Sequence, residues 1–294
     1  ESDTRPDTSR VRATTPGLSL TNQSPQYELG FGGTAPFTLT PTGDYQLRLV
    51  RTNSGLVAYD SGTISLADQA TQSFYIYTKD GTHAVNVLKV NNNGGATVAV
   101  PNILAAFKVV NGAYQAGAVD EKTDGVVGIQ NTAYPTATQT YNTLLAGTRV
   151  ITPESHATPG PTIDTTTTTF APSTDSKMLI SGANGSEIIT VLHDNNISPS
   201  AQTAKVRFVN GSPDIPAFDV SIDGVIKATN VAYTHASDYF NLDNSNHKVQ
   251  LLVPGTTTAL FTVDEQQFGG GQVTTFYLVG PASALVKIIS PDNV

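Results

Sequence analysis

The stretch FVNGSPDIPAFDVSIDG, residues 208–224, gathers Asp214, Asp219 and Asp223 beside an Asn-Gly-Ser turn. Carboxylates this close are what a calcium site or an acid–base pair would need. Their spacing argues otherwise. Phe218, Val220 and Ile222 alternate with Asp219, Ser221 and Asp223, the pattern of a strand with one buried face. Asp219 and Asp223 then share a face but stand about 13 Å apart at about 3.3 Å per residue, too far to share an ion. No D-x-D-x-D-G loop is present. The spacing predicts Asp214 in a turn or cap and Asp219 and Asp223 as solvent-facing strand residues.

The other chemistry-bearing residues form no set. His83, His156, His193, His235 and His247 are scattered, with no H-x-x-H or H-E-x-x-H pair for zinc. Cysteine is absent, which excludes disulfides, thiolate metal sites and a cysteine nucleophile. GFGG (30–33) and FGGG (268–271) match no phosphate loop, no G-x-S-x-G elbow occurs, and no spacing favours a Ser-His-Asp triad. In SFYIYT (73–78), Phe74 and Ile76 read as core, while Tyr75 and Tyr77 are the partly exposed face that a sugar would stack on. Asn22, Asn184, Asn196 and Asn210 fit the Asn-x-Ser/Thr sequon, in a chain rich enough in those residues to produce it by chance. No catalytic, cofactor-binding or metal-binding residues are expected, and the reading is non-enzymatic.

Any such residues must be positioned by β-structure. Segments of alternating apolar residues are short and punctuated by turn formers, which predicts an all-β chain. At 294 residues it has room for two or three domains. The formal charge is −8 and only 14% of residues are charged, which excludes a nucleic-acid footprint of clustered Lys and Arg. No apolar run approaches the roughly 18 residues of a membrane helix. The first residue is Glu1 and the single methionine is Met178, so export after removal of a signal peptide is the expectation.

Internal repetition organises the chain. LTNQSPQ (20–26), VVNGAYQ (109–115) and FVNGSPD (208–214) share a near-apolar pair, an Asn and a small turn. Downstream, strands open at Phe37, Tyr141 and Phe240, and the copies close with VLKVNNN (87–93), VLHDNN (191–196) and IISPDN (288–293). Asn111 and Asn210 are 99 residues apart, as are Tyr141 and Phe240. The predicted units are 18–93, 103–196 and 203–294, after an N-terminal arm of residues 1–17. Short connectors predict a semi-rigid row. Asp-Gly pairs in VDEKTDG (119–125) and SIDG (221–224) predict hairpins. IDTTTTTF (163–170) reads as a strand, and NILAAFKVV (102–110) reads as a strand better than as a helix. Some seven strands in each unit predict three tandem immunoglobulin-like β-sandwich domains. The short copies VVNGAYQ and LTNQSPQ lack the aspartates, which argues against a shared metal or catalytic role.

AKVRFVNGSPDIPAFDVSIDG, followed by VAYTHASDYFNL and TTFYLVG, resembles the bacterial family known as domain of unknown function 4397. The matching positions include Val206, Arg207, Asn210, Ser212, Pro213, Asp214, Pro216, Asp219, Val220, Asp223 and Gly224, with Tyr233, Ser237 and Tyr239 beyond; at Asn210 the family often has histidine. The likeness covers residues 203–294, while the second unit keeps mainly FKVVNGA. It implies repeated β-sandwich modules in exported cell-envelope proteins, with no catalytic residues established.

The arm, ESDTRPDTSRVRATTPG, is polar, yet SRVRATT alternates like a strand. It is expected to add to a sheet edge of its own or a neighbouring subunit, as in donor-strand pairing. The functional expectation is an extracellular or cell-surface structural protein that self-associates into a homopolymer, filament or surface assembly, or displays an adhesive face. The alternative is a module that binds glycan or another cell-surface ligand.

Overall fold

The computed structural model describes residues 9–21, 23–30, 32–52, 54–78, 82, 84–183 and 185–292. Asn22, His83, Asn184 and residues 1–8 of the arm lie outside the described residues. No helix forms among those described, and the chain is all-β, built mainly of antiparallel sheets.

Four strands, β1 (Ser9–Thr14), β2 (Tyr27–Leu29), β3 (Gly43–Arg51) and β4 (Val57–Leu66), form an antiparallel sheet in the order β2-β1-β3-β4. Facing it are β5 (Gln72–Thr78), β6 (Val85–Asn91) and β7 (Thr97–Val100), in the order β5-β6-β7. Leu47, Leu49, Tyr59, Val87 and Val100 make a small core between the two, with Val11 and Ala13 packed against it. The arm therefore contributes Val11 and Ala13 to its own chain's core. Its strand β1 is bonded on both sides, to β2 and β3, and so is interior instead of an edge addition. The Gln26 amide completes the hold, donating to the Ala13 carbonyl at 2.8 Å and accepting from the Ala13 N–H at 2.9 Å. The stretch after residue 93, read as a connector, supplies β7.

The second sheet pair comprises β8 (Leu104–Tyr114), β9 (Val119–Asp120), β10 (Lys122–Thr123), β11 (Val126–Val127), β12 (Thr136–Ala137), β13 (Asn142–Leu145), β14 (Gly147–Ile151), β15 (Glu154–Ser155), β16 (Thr166–Phe170), β17 (Asp175–Ala183) and β18 (Ile188–His193). One sheet runs β12-β8-β17-β18 with β13 also on β8, the other β11-β10-β14-β16, and β9 pairs with β15. The third has β19 (Thr203–Gly211), β20 (Ala217–Ile222), β21 (Val225–Ala232), β22 (Phe240–Asp243), β23 (Asn246–Leu252), β24 (Ala259–Gln267), β25 (Val273–Val279) and β26 (Val286–Pro291). Its sheets run β22-β19-β25-β26 and β21-β20-β23-β24. The two pairs share one connectivity, including a central parallel contact, β8 with β17 and β19 with β25. Both Asp-Gly pairs turn their hairpins with positive φ at each residue, 51° and 79° at Asp124 and Gly125, 51° and 81° at Asp223 and Gly224. That is the type I′ geometry whose twist matches the strands.

These two pairs do not form a row with free outer faces. Along β8, Ala105, Phe107 and Val109 point into the core of the second pair, whereas Val110 joins Leu179, Val209, Tyr277 and Val279 in a cluster shared with the third. Along β19, Ala204, Val206 and Phe208 point into the third core and Val209 into the shared cluster. The sheet containing β8 and β17 is thus stacked on the sheet containing β19 and β25, giving four layers. Both faces of the two inner sheets are buried, so Lys108, Lys177 and Arg207, which alternation alone would place in water, are enclosed.

Candidate functional site: a sealed ionic junction

The enclosed charges meet where the inner sheets stack. Lys177 on β17 places Nζ 2.5 Å from Asp292 Oδ1 and 3.2 Å from Asp194 Oδ2, with all three side chains fully buried. Arg207 on β19 pairs with Asp194 and also donates to the His193 carbonyl at 2.7 Å and to Thr275 Oγ1 at 3.0 Å. The Thr275 hydroxyl in turn donates to Asp292 at 2.6 Å. The Tyr141 hydroxyl donates to Asp194 at 2.5 Å, and the Asn196 amide donates to Asp175 at 2.7 Å. Lys108 on β8 reaches across to the Pro291 carbonyl at 2.7 Å and lies 4.7 Å from the centre of the Tyr141 ring; Arg207 lies 4.8 Å from that of Tyr239.

The bonds across the junction are reciprocal. Lys108 of the second pair bonds the carbonyl that ends β26, and Arg207, 99 residues later on the matching strand, bonds the carbonyl that ends β18. Gly112 on β8 lies against Val279, where a Cβ would come within 2.6 Å of Cγ1; Gly211 on β19 lies between Val279 and Leu179, where a Cβ would meet Cγ1 at 3.0 Å and Cδ2 at 3.2 Å. Such reciprocity is that of an isologous dimer interface, here within one chain.

The electrostatics favour permanent pairing. Burial alone would raise the Asp194 carboxyl, but the Lys177 and Arg207 charges outweigh it and hold it below its ordinary value. Burial lowers Lys108 to about 8, with the like charge of Lys177 adding to the effect. Burial raises the Tyr141, Tyr239 and Tyr277 hydroxyls, so they stay protonated, and Tyr141 donates to Asp194. Three cations, Lys108, Lys177 and Arg207, thus balance three carboxylates, Asp175, Asp194 and Asp292. With no open side for a substrate, what the arrangement does is lock two sheets in one register. The void lined by Arg51, Leu56, Asn102, Leu104 and Tyr141, where the first and second pairs meet, measures about 10 Å³, room for at most one water.

The aspartates of the 208–224 stretch are not brought together on an ion; each captures backbone N–H groups instead. Asp214 accepts from Ala282 at 3.0 Å, as a turn residue should. Asp219 is buried, not solvent-facing, and accepts from Asn230 at 2.7 Å and Gly255 at 2.8 Å. Asp223 accepts from the Lys248 N–H at 2.8 Å and lies 2.7 Å from His247 Nδ1. Two of the three are kept in the second copy, while Gln115 stands where the third has Asp214. Asp120 and Asp124, 99 residues before Asp219 and Asp223, accept from Asn131 at 2.8 Å and Val150 at 3.0 Å. The short motif around Asn111 does not reveal them; the 99-residue offset between Asn111 and Asn210 does. The shared role is backbone capping.

Asn111 and Asn210 also act alike, each donating to two carbonyls and accepting from the N–H two residues on. Asn196 and Asn210 are 5% and 0% exposed, so neither side chain is open to a sugar in the folded chain. His156 bonds Asp120, His193 bonds Ser176, His235 bonds a carbonyl, and His247 sits between Asp223 and Asp243. Among the described residues no three His, Asp or Glu side chains could hold a metal ion. Tyr75 and Tyr77 are 57% and 39% exposed, on the face opposite Phe74. The ionic junction forms no local motif: its members are spread over residues 108 to 292, and only Lys108 and Arg207 share the 99-residue offset.

The family model described as Domain of unknown function (DUF4397) matches residues 105–221 and residues 204–294. No curated protein matches. Among solved structures, the Bacillus anthracis TIE protein is similar at 6% identity and a TM-score of 0.20, with 93% of this chain and 52% of that one covered. The chain thus spans about half that protein's length.

Proposed function

The chain belongs to the domain of unknown function 4397 family, and on that premise we propose that it is a non-enzymatic structural protein of the cell surface. In this reading its three sheet pairs are tandem immunoglobulin-like sandwiches, exported and assembled with further copies into a filament or surface layer. The observation that carries it is the sealed junction. Charged groups that a catalyst would hold open toward solvent are here spent on welding two sandwiches into one body. A weld of this kind would give a surface subunit stiffness. Exchange of the N-terminal arm between copies would require opening the sheet in which β1 is already paired on both sides.

Electron microscopy of native surface material and of the concentrated purified protein tests the reading. Filaments or sheets with a subunit repeat are expected, and dispersed monomers under both conditions would overturn it. A second reading, glycan binding, is favoured by one observation, the exposed pair Tyr75 and Tyr77 on β5. It requires glycan-array binding that is lost in Tyr75→Ala/Tyr77→Ala.

A further inference from the structure

The hairpins turned by Asp124–Gly125 and Asp223–Gly224 are anchored alike, but by different cations. In each, the aspartate carboxylate accepts the N–H of a residue on the neighbouring strand, Val150 at 3.0 Å for Asp124 and Lys248 at 2.8 Å for Asp223. The carbonyl of that residue takes the aspartate N–H in return, at 2.8 Å and 2.9 Å. The second carboxylate oxygen then meets the side chain one residue earlier on that strand. In the second pair this is Arg149, at 3.0 Å; in the third it is His247, at 2.7 Å. Arginine keeps its charge at any pH a protein meets, whereas histidine changes charge near neutrality.

The surroundings of His247 call for the charged ring. The side chain is 4% exposed, and both of its nitrogens face acceptors. Nδ1 lies 2.7 Å from Asp223 Oδ2; Nε2 lies 3.0 Å from the Asp243 carbonyl and 3.0 Å from Asp243 Oδ1. The Ser245 hydroxyl, 3.4 Å from Nε2, donates to Asp243. A neutral imidazole has a single N–H and can serve one side only, leaving a lone pair against oxygen on the other. The imidazolium serves both. Of the other charges packed nearby, Lys248 pairs with Asp264, Lys287 bonds the Gln266 amide opposite His247 on β24, and Lys227 lies beside Asp223; the Phe268 ring is 6.2 Å away.

We propose that His247 is a pH-operated clasp: as imidazolium it ties the Asp223–Gly224 hairpin to the turn between β22 and β23, and on losing a proton it releases the hairpin, while the Arg149 clasp of the second pair stays shut. The hairpin it governs carries the exposed Val225 and Ile226, so the clasp sets how rigidly an apolar tip is presented. Burial alone would lower the proton affinity of the ring, but the bonds to Asp223 and Asp243 outweigh it and hold the ring above its ordinary value. An unfolded histidine titrates near about pH 6.5. The stability supplied by the clasp is therefore complete below that value and is lost as pH rises through the higher folded one. The inference does not depend on the assembly reading.

NMR of the full chain follows the histidine rings from about pH 5 to about pH 8.5, with His247 assigned from the signal lost in His247→Arg. Hydrogen exchange at residues 222–226, corrected for its intrinsic pH dependence, is compared over the same range with that at residues 123–127. His247 is expected to titrate above about pH 6.5. Protection at 222–226 should fall with the same midpoint, by up to about tenfold for each pH unit between the folded and unfolded titrations, while that at 123–127 stays level. His247→Arg should keep protection at 222–226 and remove its pH dependence; Arg149→His should confer a pH dependence on 123–127. Constant protection at 222–226 while His247 loses its proton would overturn the proposal, as would a pH dependence there that persists in His247→Arg. If either variant fails to fold, the two midpoints in the wild type decide: agreement supports the clasp and disagreement overturns it.

Discussion

Lys108 shows how one buried residue makes the junction sensitive to pH. An unfolded lysine keeps its proton to about pH 10.4, whereas burial and the charge of Lys177 lower Lys108 to about 8. Between these values the unfolded chain holds a proton that the folded chain has released, so stability rises with pH across that window. The denaturation midpoint of the wild type is therefore expected to climb from pH 8 to pH 9.5. In Lys108→Met that climb should vanish; equal slopes in the two proteins would show that Lys108 is not the responsible group. The tyrosines act in the opposite sense only above about pH 10, where unfolded tyrosine begins to ionise.

At the scale of elements, the buried aspartates show how strands are tied to their loops. Asp219 on β20 accepts the N–H of Asn230, which has a left-handed φ of 53°, and that of Gly255 in the turn between β23 and β24. Asp219→Ala leaves both donors without their carboxylate, and a loss of about 1–3 kcal/mol is expected by urea denaturation. Gly112 makes the corresponding point for packing. A methyl group there would meet Val279 across the junction at 2.6 Å, so Gly112→Ala should separate β8 from β25 and destabilise the chain, with relief by Val279→Ala. If Val279→Ala gives no relief, the close approach is not what selects glycine.

At the scale of the molecule, the second and third sheet pairs should unfold as one body, because separating them exposes the buried charges of Lys177, Asp194, Arg207 and Asp292. Calorimetry is expected to show one transition for this body and a separate, earlier one for the first pair, whose core is small. Arg207→Met removes one partner and leaves Asp194 with incomplete compensation, which should cost about 3–5 kcal/mol and lower the joint transition. A loss confined to the earlier transition would contradict the assignment of Arg207 to this junction.

The sequence alone determined the all-β class, the Asp-Gly hairpins at 124–125 and 223–224, a strand within NILAAFKVV (102–110) and the family, because these depend on local chemistry: period-two alternation, φ preferences and turn residues. Three matters were decided by the tertiary structure. The arm's SRVRATT alternates in the same way whether it pairs in cis or in trans, so its place between β2 and β3 is fixed by packing. Asp219 has the sequence pattern of a solvent-facing residue, yet it is buried beneath the loops whose N–H groups it accepts. Lys108, Lys177 and Arg207 occupy alternate positions that in a single sandwich would face water; only stacking a second charged sheet on the first gives them carboxylates and removes the solvent. Alternation specifies which residues share a face. What that face meets depends on chain segments far away in sequence, which no local pattern encodes.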